Sequence, residues 1–302
     1  GLYEFLDGTG IDLEQWAVPD LPDLDLDSWL DEFMRDPAAL GDPEAVPEVP
    51  EEATTQLGDL WVLGDHRVLC GDATIVADVE KLMDGEVGVD LICTDPPYCS
   101  GGFQEVGKSA GSVGTAATHK MVANDTLSTR GYIALLKTAF HNMNAQYLYA
   151  FTDWRMWVYL YDLVESSGFG VKSMIAWDKG TAGMGRGWRA QHELILWGAK
   201  QTPPYDKKWP GAGNVIAESR TGNTMHTTEK PVELIAKLLR NTPFAKIIAD
   251  PFAGSGTTLI ACEKELRQFR GTEIDPKYVD VIVKRWEDYT GKTAVLEQSK
   301  AA

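Results

Sequence analysis

The sequence predicts an α/β fold: a mostly parallel sheet with helices on both faces. Three observations lead there. From Gly58 onward, apolar runs of strand length alternate with stretches of helical periodicity. Two turn motifs, one rich in Pro and one in Gly, directly follow such runs, where open α/β sheets hold their ligands. Of the 302 residues, 44% are hydrophobic, enough to fill such a core.

Taken in order, strands are expected at 66–70, 89–94, 147–151, 171–177, 193–197, 246–250 and 269–273. They are short apolar runs such as Leu91-Ile92-Cys93 and Ile247-Ile248-Ala249. Helices are expected at 75–83, 129–143, 155–166, 231–241, 256–265 and 276–289. Trp154, Trp157, Tyr159 and Tyr161 read as helix packing rather than as a stacking platform. Two segments break the alternation. Residues 99–124 are rich in Gly, Ser, Ala and Thr, and 200–226 are polar with Pro203, Pro204 and Pro210. Irregular stretches this long in a compact domain usually carry function or are disordered.

A net charge of −17 argues against a nucleic-acid partner until its distribution is seen. Residues 1–56 hold 16 acidic side chains and one basic one (Arg35), a net of −15. The remaining 246 residues hold 29 acidic and 27 basic, a net of −2. The chain divides accordingly into an acidic, Pro-rich arm or linker at 1–56 and a catalytic domain at 57–302. Within the arm, Leu26, Trp29, Leu30, Phe33 and Met34 fall at helical spacing and predict one amphipathic helix.

Cys70, Cys93, Cys99 and Cys262 form no C-x-x-C pair and match no zinc spacing. They read as reduced interior thiols of a cytoplasmic protein, and no metal is expected. No run reaches the roughly 18 apolar residues that span a membrane.

The first motif is Asp95-Pro96-Pro97-Tyr98, at the carboxyl end of the 89–94 strand. Two prolines stiffen the turn. The Asp95 carboxylate and the Pro96 carbonyl can each accept one amino hydrogen while Tyr98 stacks on a ring. That set suits a planar base bearing an NH₂ group. The second motif, Asp250-Pro251-Phe252-Ala253-Gly254-Ser255-Gly256-Thr257, joins a strand to a helix. Gly254 and Gly256 let the backbone approach a ligand, and the helix start offers N–H groups to an anion. Glu273, at the next strand's end, is placed to hold ribose hydroxyls.

Together the two motifs resemble the DNA amino-methyltransferase family, in the permuted subclass where the catalytic tetrapeptide precedes the cofactor glycines. The resemblance covers roughly residues 58–290. It implies a seven-stranded, Rossmann-like methyltransferase sheet, S-adenosylmethionine as cofactor and a base flipped out of double-stranded DNA. It places Asp95, Pro96, Pro97 and Tyr98 at the target base. It assigns Asp72, Asp250, Phe252, Ala253, Gly254, Ser255, Gly256, Thr257 and Glu273 to the cofactor.

The segment His226-Thr227-Thr228-Glu229-Lys230-Pro231 is similar to the family's H-P-T-Q-K-P element beside the cofactor. It departs at Thr227 and Glu229, so only Thr228, Lys230 and Pro231 carry over, with Thr228 and Lys230 assigned to the cofactor. Trp177-Asp178-Lys179, followed by Arg189, His192 and Glu193, resembles the segment flanking the target base, and Trp177 is the candidate second stacking ring. The family often has Asn where this chain has Cys99.

No Pro-Cys dipeptide occurs, so cytosine-C5 chemistry is excluded. Asp at position 95 favours adenine N6 over cytosine N4, the alternative. Residues 99–124 then read as a mobile loop over the base and 200–226 as a target-recognition insert. Lys108, Trp177, Arg189, Lys207, Lys208 and Arg220 are the expected DNA contacts. Gly102–Ser109 also spells a phosphate-loop pattern, G-x-x-x-x-G-K-S, but no helical pattern follows it, which rejects an ATP site. A homodimer, and an upstream domain or partner contacting residues 1–56, are both compatible with the sequence.

Overall fold

A computed structural model describes residues 40–99, 127–183, 187–204, 211–219 and 229–297. All of these fall in one compact unit beginning at Leu40. They form ten strands: β1 (Leu60–Leu63), β2 (His66–Cys70), β3 (Leu91–Thr94), β4 (Tyr147–Thr152), β5 (Gly170–Asp178), β6 (His192–Ala199), β7 (Val215–Ala217), β8 (Ile247–Asp250), β9 (Gln268–Glu273) and β10 (Val295–Glu297). The helices are α1 (Val76–Met83), α2 (Thr129–Met143), α3 (Trp157–Ser166), α4 (Val232–Arg240), α5 (Thr257–Lys264) and α6 (Pro276–Thr290).

The strands make one sheet in the order β10-β1-β2-β9-β8-β3-β4-β6-β5-β7. All seven expected strands are present, with bounds within two residues. Two expectations are corrected. The sheet has ten strands, not seven, and it is mixed, with five parallel and four antiparallel pairings. The added strands β1, β7 and β10 are three or four residues long, too short to show a period-2 pattern. β7 lies inside the expected recognition insert and pairs with β5.

Period-2 alternation explains how both faces are filled. In β4, Tyr147, Tyr149 and Phe151 enter the core under α4, α5 and α6. Leu148 and Ala150 enter the opposite core, under α1, α2 and α3. The helices start and stop where local chemistry dictates. Ser128 caps α2 by accepting from Gly131 N–H at 3.2 Å. Asp275 caps α6 ahead of Pro276, and Gly291 ends it at φ 71°.

Trp154 and Tyr161 are 63% and 41% exposed, so for these two the packing expectation fails. Trp154 is covered instead by the Arg155 guanidinium, 5.2 Å from its ring.

Residues 40–56, acidic by composition, lie along α6. Gly41 N–H donates to Tyr289 O at 2.8 Å, and a Cβ at Gly41 would sit 2.7 Å from Asp288 O. Thr55 donates its N–H and its hydroxyl to Asp280, at 3.0 and 2.5 Å. The expected amphipathic helix at 26–34 lies outside the described residues. No described helix is long and apolar enough to cross a membrane.

What positions the chemistry is the centre of the sheet. From β3 the chain crosses through α2 to β4 on one side; from β8 it crosses through α5 to β9 on the other. β3 and β8 are neighbours, so the connections diverge between them. Open sheets of this kind form a crevice at that divergence, outside the strands' carboxyl ends.

Candidate active site

Both sequence motifs emerge at this divergence. The Asp95 tetrapeptide follows β3 and the glycine-rich turn follows β8. A buried carboxylate fastens one to the other. Asp250 accepts from the Thr94 hydroxyl at 2.6 Å, the Thr258 hydroxyl at 2.7 Å and Phe252 N–H at 3.0 Å. Burial raises its pKa to about 6 despite those donors. Asp250 is 3% exposed with both oxygens engaged, which corrects its assignment as a ligand contact: it holds the turn.

At the tetrapeptide, Asp95 Oδ2 accepts from the Lys230 ammonium at 2.5 Å. Lys230 also lies 3.3 Å from Glu193 Oε2, and Lys179 binds Glu193 Oε1 at 2.9 Å. The Tyr98 hydroxyl donates to Glu193 at 3.2 Å, and the Lys230 ammonium sits 5.3 Å from the Tyr98 ring centre. Strand directions produce this cluster. β5 ends just before Lys179 and antiparallel β6 begins just before Glu193, so both residues join the carboxyl edge of β3 and β4.

The electrostatics follow from burial and pairing. Burial works against the Lys230 ammonium, but Asp95 and Glu193 outweigh it and hold its pKa above the usual lysine range. Burial raises Glu193 as well, yet Lys230 and Lys179 bring it down to about 2. Burial pushes Asp95 upward and Lys230 pulls against it. Burial keeps the Tyr98 hydroxyl protonated, well above the usual tyrosine range. Asp95 Oδ1 is buried and accepts no hydrogen bond of normal geometry among the described residues, the nearby Tyr98 hydroxyl being directed to Glu193. A buried carboxylate oxygen of this kind is an acceptor for an N–H or O–H of a ligand.

On the β8 side, Gly254 and Gly256 have φ 54° and 85°, the left-handed region. A Cβ on Gly256 would lie 3.1 Å from Ile282, so the turn is packed from below as well as bent. Glu273 ends β9 and accepts from Gly254 N–H and Asp275 N–H, both at 2.9 Å. Asp72 follows β2, whose register sets Cys70 beside Glu273, and Gly71 N–H donates to Glu273 O at 3.0 Å. Asp72 Oδ1 is used locally, by the Thr74 N–H and hydroxyl. Two carboxylates and a close-packed glycine turn at three adjacent strand ends fit a ligand carrying hydroxyls at one end and a charged group at the other.

Three further expectations change. Lys230, expected at the cofactor, is bonded to Asp95. Trp177 is 1% exposed, with its indole N–H on Glu218 O at 2.8 Å, so a core ring cannot stack on an incoming base. The Ser255 and Thr257 hydroxyls both go to Glu229 Oε1 at 3.0 Å. Ala253 is buried and Phe252 packs on the layer under α1 to α3. Arg189 is exposed on the approach to β6. Thr228, Lys108, Lys207, Lys208 and Arg220 lie outside the described residues, as do most of the 99–124 loop and much of the 200–226 insert. The resemblance placed Lys179 and Glu193 in the segment flanking the target base but gave neither a role. An acid and a base at strand ends look like solvated charges until the strand order is known. All four cysteines are buried thiols outside any disulfide, and burial raises the Cys93 and Cys262 thiols.

A family described as DNA methylase, covering N6 and N4 enzymes, matches residues 89–284. The chain is 24% identical to the type II methyltransferase M.HpaI of Haemophilus parainfluenzae, over 78% of this chain and 79% of that one. The solved M1.HpyAVI–SAM complex superposes with a TM-score of 0.51 at 25% identity, covering 72% of this chain and 98% of that one. The cytosine-N4-specific PvuII DNA methyltransferase shares the fold, with a TM-score of 0.50 at 14% identity over 80% of this chain and 90% of its own.

Proposed function

Because the chain belongs to the N6/N4 DNA methylase family, we propose that it methylates an exocyclic amine, adenine N6, of a base flipped out of double-stranded DNA. One observation carries this: a buried carboxylate oxygen left without a hydrogen bond of normal geometry, Asp95 Oδ1, beside a glycine-rich turn. S-adenosylmethionine, when bound, supplies a sulfonium methyl group. The relative solved with this ligand supports the choice, and the two glycines with Glu273 and Asp72 suit its methionine and ribose ends. We read the order of the motifs along the chain as the permuted arrangement of the family.

Asp95 Oδ1 and the Pro96 carbonyl accept the two amino hydrogens. That draws electron density onto the nitrogen and favours its tetrahedral form as the methyl arrives; the sulfur leaves as a neutral thioether, and one amino proton is lost to solvent as the nitrogen returns to its planar form. Lys230 opposes the upward pull of burial on the Asp95 carboxylate and so favours its ionised form, and Glu193 with Lys179 holds Lys230. Tyr98 offers its ring to the base. Flipping costs a few kcal/mol, offset by these contacts. Adenine is favoured because Asp occupies position 95. DNA from cells expressing the chain should show methylation at adenine N6 within one sequence motif. Modified cytosine N4 alone would replace adenine as the target, and unmodified DNA would overturn the proposal.

Glu273 makes cofactor binding pH-dependent. Burial raises its carboxyl to about 7. Below that value the group is neutral in the free protein, and above it the carboxylate is ready to accept ribose hydroxyls. Affinity for S-adenosylmethionine should therefore rise with pH through about 7, falling by up to about tenfold per unit below it. Calorimetric titration on either side of neutrality measures this, and Glu273→Gln should flatten the profile. A flat wild-type profile would move the ribose elsewhere.

A further inference from the structure

The dipeptide Glu229-Lys230 touches both halves of the site. Lys230 binds Asp95, and Glu229 reaches the glycine-rich turn through the Ser255 and Thr257 hydroxyls. Glu229 is itself paired with Arg285 of α6, their side chains 3% and 2% exposed. Arg285 donates onward to Ser255 O at 3.2 Å and to Pro43 O, in the 40–56 segment, at 3.1 Å. Nearby, Glu44 caps α4 by accepting from Val232 N–H at 2.9 Å. The position is one where the chain departs from its family's usual Gln, and the departure has a partner: a buried guanidinium that a neutral amide could not balance.

We infer that Glu229 and Arg285 are a positioning pair, which sets the cofactor turn and the Lys230–Asp95 contact in register with each other. Neither touches substrate. Glu229 fixes the turn from its carboxylate side, and Arg285 fixes Glu229 while anchored to the Pro43 carbonyl. Methyl donor and acceptor are then aligned by one short segment rather than by two independent loops. The inference rests on the methyltransferase reading above.

The test separates positioning from simple stability, using the full chain and S-adenosylmethionine as probe. Glu229→Gln, Arg285→Met and the double variant are compared by calorimetry, thermal unfolding and steady-state methylation. Each single variant removes the ion pair that fixes Glu229 on the turn and so loosens the link, and donor affinity should fall about tenfold, with KM for DNA unchanged. The double variant should recover thermal stability, because no buried charge is left unpaired. Its donor affinity should stay as low as in the single variants, because the link is still loose. Donor affinity that recovers along with stability would overturn the inference, as would single variants that bind donor as wild type does. Should the single variants not fold, Ser255→Ala/Thr257→Val cuts the same link with the ion pair intact. The same tenfold loss supports the inference, and unchanged affinity overturns it. Wild-type protein that binds no S-adenosylmethionine would sink the methyltransferase reading instead.

Discussion

Asp95→Ala should slow methyl transfer about 10²- to 10³-fold while leaving donor affinity within a few-fold of wild type. The carboxylate lies on the β3 side of the crevice, where the proposed reading sets the base, and that reading sets the donor on the turn after β8. Removing it takes away the acceptor that develops negative charge density on the amine nitrogen. It also leaves the Lys230 ammonium with Glu193 as its remaining anionic partner. Asp95→Asn separates charge from shape, since it keeps the volume and one acceptor oxygen but loses the charge that faces both the amine and Lys230. Methyl transfer from labelled donor and donor binding should be measured on one preparation. A rate within tenfold of wild type for Asp95→Ala would remove Asp95 from the chemistry.

Gly256→Val should have the second largest effect, this time on donor binding. At φ 85° a β-branched side chain is strained by about 1–3 kcal/mol. Its Cβ would meet Ile282 Cγ1 at 3.1 Å and Cγ2 at 3.3 Å. Relief requires the turn to move, and the proposed reading seats the donor on that turn. Donor affinity should fall about 10- to 100-fold, with the DNA affinity of the donor-free protein preserved. Gly256→Ala should lie between, because the strain remains but the branched methyls are gone. Donor affinity unchanged in Gly256→Val would place the cofactor elsewhere in the crevice.

How much of this was legible depended on the range of the interaction. Motifs local in sequence were readable: the rigid Asp95 turn, the glycines and the helix after them are each fixed by neighbours a few residues away. β7 and β10 were not, because a strand of three residues is stabilised by its partner rather than by its own pattern. Lys230 was found by resemblance but assigned to the wrong neighbour, since Asp95 lies 135 residues distant. Trp177 shows the same limit from the other side. A tryptophan in a strand that looks half-exposed stacks on a ligand or fills a core according to what covers it, and Glu218 covers this one. Composition misled over 40–56, where acidic residues and prolines suggested an arm, while individual backbone groups and side chains bind α4 and α6.

The four charges around Asp95 have a consequence for how DNA reaches the enzyme. Two lysines and two carboxylates cancel, so the base pocket projects almost no field beyond its own walls. It offers a phosphate nothing to hold. Long-range attraction toward the duplex must then come from basic side chains elsewhere on the protein, whose pull on phosphates is screened within about 8 Å at physiological ionic strength. Added salt acts on that encounter, by counterion release, and leaves the chemical step inside the pocket to proceed at the same pace.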